Sequence, residues 1–324
     1  MDDFCGPESR RDKADHCGES LMKLSESQVE QDLDWMGKAL PLMGPWENFP
    51  QFSEPQWASM REGGLRGLEK WRSLSEAERG ALFSYDGWRV GPYFESIVEL
   101  WLHLLEGWEV LASNLTVFKE RQTLGAFDLV VRGPDGGIEH WELAIKFYLG
   151  VSNIGDWNDW VGPNQRDRLQ KKMNRMMHHQ LPLSSRPEGM EALRLAGIPP
   201  IQQKRALVLG AFFTEWKSGE GAPEGALQKA QGQWVEQGRL SHMLAEHEGS
   251  RWCKRVKPNW LGDLRGEQGL CGDEVLLGSE SAQRPEMWSQ LEAGQGTGTW
   301  IETRRWFFVP DGWKEKGRFQ AGKN

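Results

Sequence analysis

The sequence predicts an α/β or α+β core over residues 91–216, in the order helix, three strands, helix, strand. Three observations carry it. The segment from Gly91 to Gly107 has the strongest helical periodicity in the chain. Three runs of strand composition follow, the last two joined by Gly-Pro-Asp-Gly-Gly, a connection that suits a hairpin. After a basic segment comes Lys204–Phe213, a continuous apolar run of the kind found in buried strands.

Taken in order, residues 1–24 are polar, charged and without apolar periodicity, which predicts a disordered tail. A helical N-terminal extension is expected over 25–90. Its first helix places Val29, Leu33, Trp35, Met36 and Leu40 near helical spacing, with Ser25 or Ser27 as N-cap and Pro41 as the stop. Shorter helical pieces are expected around Trp57–Trp71 and Ser75–Phe83. In the core helix Phe94, Ile97, Val98, Trp101, Leu102, Leu104 and Leu105 form the apolar stripe, Glu95 lies one residue from it, and Gly107 ends it. Trp108–Phe118, Leu124–Arg132 and Ile138–Gly150 supply the three strands. Residues 162–181 read as the second core helix, with Asn164 as N-cap and Asp167 three residues on. A C-terminal extension over 217–313 holds an expected helix about Gln228–Glu246 and a strand-like stretch Gly298–Trp313, and 314–324 read as a loose tail. No repeat of 20–50 residues is visible, which argues against solenoids and propellers.

The formal net charge of −8 excludes a general polyanion binder, so any nucleic-acid contact requires a local basic face. Eighteen tryptophans predict an aromatic core or surface. Cys5, Cys17, Cys253 and Cys271 lack the paired spacing of a zinc site. Nothing resembles a signal peptide or a membrane span, so a reducing, cytoplasmic setting without a membrane is expected.

The strand "IEHWELAIKFYLG" carries Glu142 and Lys146 among apolar and aromatic neighbours. With the turn centred on Asp135, facing residues have numbers that sum to 270, so Asp128 stands opposite Glu142. Directly opposed Cβ atoms lie about 4.5–5.5 Å apart, and two carboxylates that close repel unless one takes a proton or both hold a cation. Mg²⁺ (or Mn²⁺) needs only one or two carboxylates and keeps its remaining positions for water and phosphate. Alternation puts Lys146 on the face of Glu142, making Asp128, Glu142 and Lys146 a candidate metal-plus-lysine group. The alternative is a surface hairpin whose acids pair with Lys146 and Arg132. Trp141, Leu143, Ile145 and Phe147 fill one strand face, and Ala144 and Tyr148 lie on the other, so neither face reads as freely solvated.

"LGAFDLVVRGPDGGIEHWELAIKFYLG", "GPNQRDRLQKKMNRMMHHQL" and "QDLDWMGKALPLM" resemble the signature blocks of an uncharacterised bacterial family assigned to the PD-(D/E)XK, restriction-endonuclease-like nuclease superfamily. The resemblance covers most of Gln31–Trp216. It implies a core of one helix, three antiparallel strands, a second helix and a fourth strand, and Mg²⁺-dependent hydrolysis of nucleic-acid phosphodiesters. It also implies that Asp128 and Glu142 are the strand acids, Lys146 the lysine and Glu95 the acid of the first helix. One departure stands out: the superfamily has one residue between acid and lysine, whereas "ELAIK" has three. Lys146 therefore lies roughly 14 Å along the strand from Glu142. Either the lysine reaches in from another layer or the site is degenerate.

Arg166, Arg168, Lys171, Lys172, Arg175, His178 and His179 crowd one stretch, and from 168 onward they fall at helical spacing. Leu169, Met173, Met176 and Met177 offer an opposite, packing face. A basic face beside the hairpin suits a phosphate backbone, with a solvated amphipathic helix as the alternative. Trp157, Trp160, Trp252, Trp260, Trp306 and Trp313 suit either core packing or base stacking. The sequence thus predicts a Mg²⁺-dependent nuclease, with Asp128 and Glu142 on the metal, Lys146 on the phosphate, and Arg166, Arg168, Lys171, Lys172 and Arg175 on the backbone. The competing expectation is an inactive nuclease-fold protein that serves as a nucleic-acid-binding or protein-interaction module.

Overall fold

The computed structural model describes residues 25–44, 49–219, 221–264, 283–294 and 299–321. The expected disordered tail, Cys5, Cys17 and Cys271 lie outside them, and Cys253 is buried. The fold is mixed α/β with helical extensions at both ends.

Helix α1 (Glu26–Met36) is capped by Ser25, whose hydroxyl accepts from the Gln28 amide. It ends at Gly37 rather than at Pro41, because the Gly37 amide already closes the last turn onto the Leu33 and Trp35 carbonyls. Helices α2 (Glu54–Ser73) and α3 (Glu76–Leu82) both start with capping boxes, Ser53 with Gln56 and Ser75 with Glu78. The core helix α4 (Val90–Leu104) buries Tyr93, Phe94, Ile97, Val98 and Trp101 along one stripe. Gly64 of α2 lets Trp101 come close: a Cβ there would sit 2.1 Å from the Trp101 Nε1.

The strands form one nine-stranded sheet in the order β1-β2-β3-β5-β6-β9-β8-β7, with the two-residue β4 (Trp160–Val161) also paired to β3. Strands β1 (Glu109–Lys119), β2 (Gln122–Arg132) and β3 (Ile138–Gly150) run antiparallel, and β5 (Gln203–Glu215) runs parallel to β3 from Glu139–Gln203 to Leu149–Phe213. Central position explains why β3 is buried on both faces and β5 reads as nearly unbroken apolar sequence. The odd-numbered side of β3 (Trp141, Leu143, Ile145) packs on α4, and the even side (Ala144, Tyr148) packs on Leu169, Met173 and Met176. Helices on both faces therefore look onto the same strand.

The segment from Asn164 is not one helix. Residues 162–168 form a turn in which the Asn164 side chain accepts from the Arg166 amide, Arg168 bridges back to Val161, and helix α5 covers only Leu169–Arg175. A π-helical turn (Met176–Gln180) and a 3₁₀ segment (Leu181–Ser185) follow, before α6 (Pro187–Leu195). The expected helix over 228–246 is also corrected. Its first half contains β6 (Gly232–Glu236), which pairs with β5, and only Leu240–Ala245 (α7) is α-helical. Strands β7 (Arg251–Arg255), β8 (Glu286–Ala293) and β9 (Trp300–Val309) complete the sheet. The expected loose tail begins as helix α8 (Trp313–Ala321), anchored by the buried Trp313, whose indole donates to the Pro163 carbonyl.

Candidate carboxylate site

The β2–β3 ladder pairs Arg132 with Ile138, Val131 with Glu139, Val130 with His140 and Leu129 with Trp141, the register expected from the turn. There it stops. One residue further the Asp128 side chain replaces the main chain: its Oδ2 accepts the Leu143 amide at 2.8 Å. The two strands part at this point, and Asp128 and Glu142 share a hydrogen bond in the opening. Glu95 reaches the same place from α4, held by the side chain of Asn114, which lies between Ser113 and Leu115 of β1 where they pair with Leu129 and Phe127. Asn114 has φ of 52°, a left-handed conformation that asparagine tolerates and that turns its amide out of the strand's alternation.

Three carboxyls thus share one partly dry space. Burial is the largest influence on each and pushes Glu95, Asp128 and Glu142 up to about 7. Repulsion adds to it, from Asp128 onto Glu95 and from Glu142 onto Asp128. A hydrogen bond between Asp128 and Glu142 requires one of the two carboxyls to carry a proton. Near neutrality the group is poised between neutral and charged.

Glu142 is fully buried, and other side chains hold both of its oxygens. Oε1 meets His140 Nε2 at 2.8 Å, and Oε2 accepts from the Gln180 amide. Burial depresses His140 to about 4, so near pH 7 the imidazole is neutral. We assign its proton to Nε2, facing the carboxylate, while Nδ1 takes the Ser184 hydroxyl at 3.1 Å. This contact is a hydrogen bond and not an ion pair. Its role resembles that of the groups that fix the orientation of metal-ligating carboxylates.

Lys172 completes the site from α5, on the other face of the sheet from α4. It is half-buried, its Nζ donates to Gln180 Oε1 at 3.1 Å, and its charge acts on all three carboxyls. Burial lowers the Lys172 ammonium, with the nearby Lys146 charge second. Lys146 itself is ion-paired to Asp167, which the Tyr148 hydroxyl also approaches at 3.5 Å.

The structure thus brings together Glu95, Asp128, Glu142 and Lys172, and leaves Lys146 with a different partner. The expected single basic face divides. Arg168 is buried and donates to the Asn158 and Gly317 carbonyls, whereas Arg166, Lys171, Arg175, His178 and His179 are exposed. Of the tryptophans considered for stacking, 160, 252, 260, 306 and 313 are buried, and Trp157 donates to the Glu224 carbonyl. Asn114, His140 and Gln180 gave no motif-level signal in the sequence. The one available hint was the alternation that sets His140 on the face of Glu142.

Among the described residues, no three His, Cys, Asp or Glu side chains are grouped so as to hold a metal ion as they stand, and no helix is long and apolar enough to cross a membrane. The donor set is nonetheless all oxygen, the chemistry of a hard cation. A surface cleft of about 420 Å³ lined by Arg66, Lys70, Glu106 and Trp108 lies elsewhere and includes none of these side chains. Comparison with curated proteins and with solved structures finds no match. Residues 31–309 match one family model, and the chain belongs to that family, DUF1853, a domain of unknown function.

Proposed function

We propose that the chain is a metal-dependent nuclease, with Glu95, Asp128 and Glu142 as its acids and a restriction-endonuclease-like core as its frame. The observation that carries this reading is the meeting of Asp128 and Glu142 where the β2–β3 ladder ends, with Glu95 entering from the core helix. The element order α4, β1, β2, β3, then β4, α5 and α6 ahead of β5, with β5 parallel to β3, supports the same reading. Mg²⁺ is satisfied by one or two carboxylates with water in its other positions, so a closed cage of three protein ligands is not required.

Asp128 and Glu142 are the residues that would hold Mg²⁺ or Mn²⁺. When bound, the ion supplies Lewis acidity toward a phosphoryl oxygen and makes a water more acidic. The chain's own contribution is orientation and charge. The Leu143 amide fixes Asp128, His140 and Gln180 fix Glu142, and Asn114 fixes Glu95. Exposed Lys171 and Arg175 on the neighbouring helix suit contact with a phosphate backbone without base readout. In the hydrolysis, a water oxygen bonds to phosphorus, the P–O ester bond breaks, and the water's proton ends on the departing oxygen.

A second reading, an inactive nuclease-fold module, draws support from Glu142, whose two oxygens are already hydrogen-bonded. Titration calorimetry with Mn²⁺ on wild type and on Asp128→Ala, together with cleavage assays on single- and double-stranded DNA and RNA with Glu142→Ala as control, separates the two. The nuclease reading expects a binding event lost in Asp128→Ala and cleavage lost in Glu142→Ala. A wild-type protein that binds no Mn²⁺ and cleaves nothing overturns it.

A further inference from the structure

We infer that the ammonium group serving this site is Lys172, from helix α5, and not Lys146, from the strand that carries Glu142. The inference rests on the nuclease reading and goes beyond it by assigning the cation that meets the scissile phosphate.

Three observations carry the assignment. The first is a chain of hydrogen bonds: Lys172 Nζ donates to Gln180 Oε1, and Gln180 Nε2 donates to Glu142 Oε2, so one amide separates the ammonium from the carboxylate. The second is the helix that delivers Lys172. Leu169, Met173 and Met176 are fully buried against Ala144, Tyr148 and Ala206, which fixes α5 on the Glu142 side of the sheet. Its continuation as a π turn brings Gln180 back toward Lys172, eight residues earlier; such turns are frequent at functional sites. The third is the position of Lys146. Four residues along β3, it is joined to Asp167 in the turn that precedes α5. The displaced strand lysine thus finds a carboxylate of its own, and a helix lysine stands beside the acids.

In this arrangement Gln180 spaces Lys172 from Glu142 while no phosphate is present. A phosphodiester seated at the acids offers the Lys172 ammonium a charged acceptor in place of the neutral amide oxygen. The ammonium then opposes the negative charge that builds on the phosphoryl oxygens, the contribution expected of a preorganised cation. Lys172 also opposes a divalent ion electrostatically, because it shares the same carboxylates.

The test compares Lys172→Met and Lys146→Met in the full chain, with Lys172→Gln as a second variant should the first fail to fold, judged by circular-dichroism melting. Mn²⁺ alone is titrated by calorimetry, and cleavage is followed on a labelled single-stranded DNA and its duplex. Removing Lys172 is expected to slow cleavage by about 100-fold or more while Mn²⁺ binding is kept or becomes tighter. Removing Lys146 is expected to leave both within a few-fold of wild type. A cleaving wild type in which the Lys172 variants keep their rate, or in which Lys146→Met is the more damaging change, overturns the assignment and leaves the nuclease reading standing. Mn²⁺ binding that weakens in the Lys172 variants at pH 8.5, where the acids have already lost their protons, also overturns it, since there the ammonium only repels a second cation. A wild type with neither Mn²⁺ binding nor cleavage overturns the nuclease reading and the assignment with it.

Discussion

Two buried acidic regions of this molecule solve the same problem in opposite ways. In the C-terminal half of the sheet, Glu302 of β9 is held by Arg305 at 2.5 Å, Arg255 at 3.1 Å, the Ser289 hydroxyl and the Leu264 amide, both at 2.9 Å. Burial pushes its carboxyl up, but the two guanidiniums and these donors outweigh it, and Glu302 ends below its ordinary value. The arginines' other donors meet the carbonyls of Asn259, Trp260 and Gly262 and the Asp263 carboxylate. At the β2–β3 opening three carboxyls face one lysine, and all three rise to about 7. Charge is compensated in the first region and left uncompensated in the second. An uncompensated buried group works against stability, so its persistence is what an available binding site looks like.

The largest effect should come from breaking the compensated region. Glu302→Ala strands the buried Arg255 without its ion-pair partner and leaves the partly buried Arg305 with Asp263 alone. Breaking a buried pair on one side costs about 3–5 kcal/mol, much of the roughly 5–15 kcal/mol that holds a domain folded. Urea unfolding at pH 7 is expected to show a loss of that size or no folded protein at all. A loss under about 1 kcal/mol would mean that water reaches the network, and the contrast with the carboxylate site would fail.

At the carboxylate site the sign should reverse. Asp128 has a folded value of about 7, above its ordinary value of 3.8, so the folded state binds the extra proton between those limits. Its stabilising contribution is complete below the unfolded value and disappears as pH rises through 7. Asp128→Asn keeps an oxygen for the Leu143 amide and removes the charge. It is expected to stabilise the protein at pH 8 by about 1–3 kcal/mol, with a smaller gain at pH 5, where the folded Asp128 already carries its proton and the unfolded carboxyl does not. Thermal unfolding at the two pH values measures the difference. Equal effects at both would show that packing, not charge, dominates.

How far each region can be read from sequence follows from how local its causes are. The facing of Asp128 and Glu142 was legible because a five-residue turn and period-two alternation fix a register, and Val130 does pair with His140. Helix α4 was legible from its apolar stripe, and the central strand β5 from its unbroken apolar run. The role of Lys172 was not, since it depends on α5 starting at Leu169 rather than near Asn164 and on a π turn that returns Gln180 to it. Asn114 was hidden by a left-handed backbone inside an otherwise regular strand. Strand β6 was masked because five residues next to a helix share its apolar spacing, and its pairing with Phe213–Glu215 and Gly232–Glu236 with β9 is set by distant parts of the chain. The Glu302 network joins three strands and the loops between them, so no local pattern announces it.

The smallest effect should come from the ion pair between Lys146 and Asp167, which lies between the two extremes. Their side chains are 27 % and 30 % exposed, so solvent screens the attraction. Exposed pairs contribute about 0–1 kcal/mol, and Tyr148 remains beside Asp167 when the lysine is gone. Lys146→Met is therefore expected to lower the unfolding free energy measured in urea by no more than that amount at pH 7, with a smaller loss at high salt. A loss several times larger would make Lys146 a structural anchor comparable to Arg255, and the fixed turn ahead of α5 would then depend on it. A near-neutral result leaves the sequence's displaced lysine as a local surface contact, and leaves Lys172 as the ammonium standing beside the uncompensated acids.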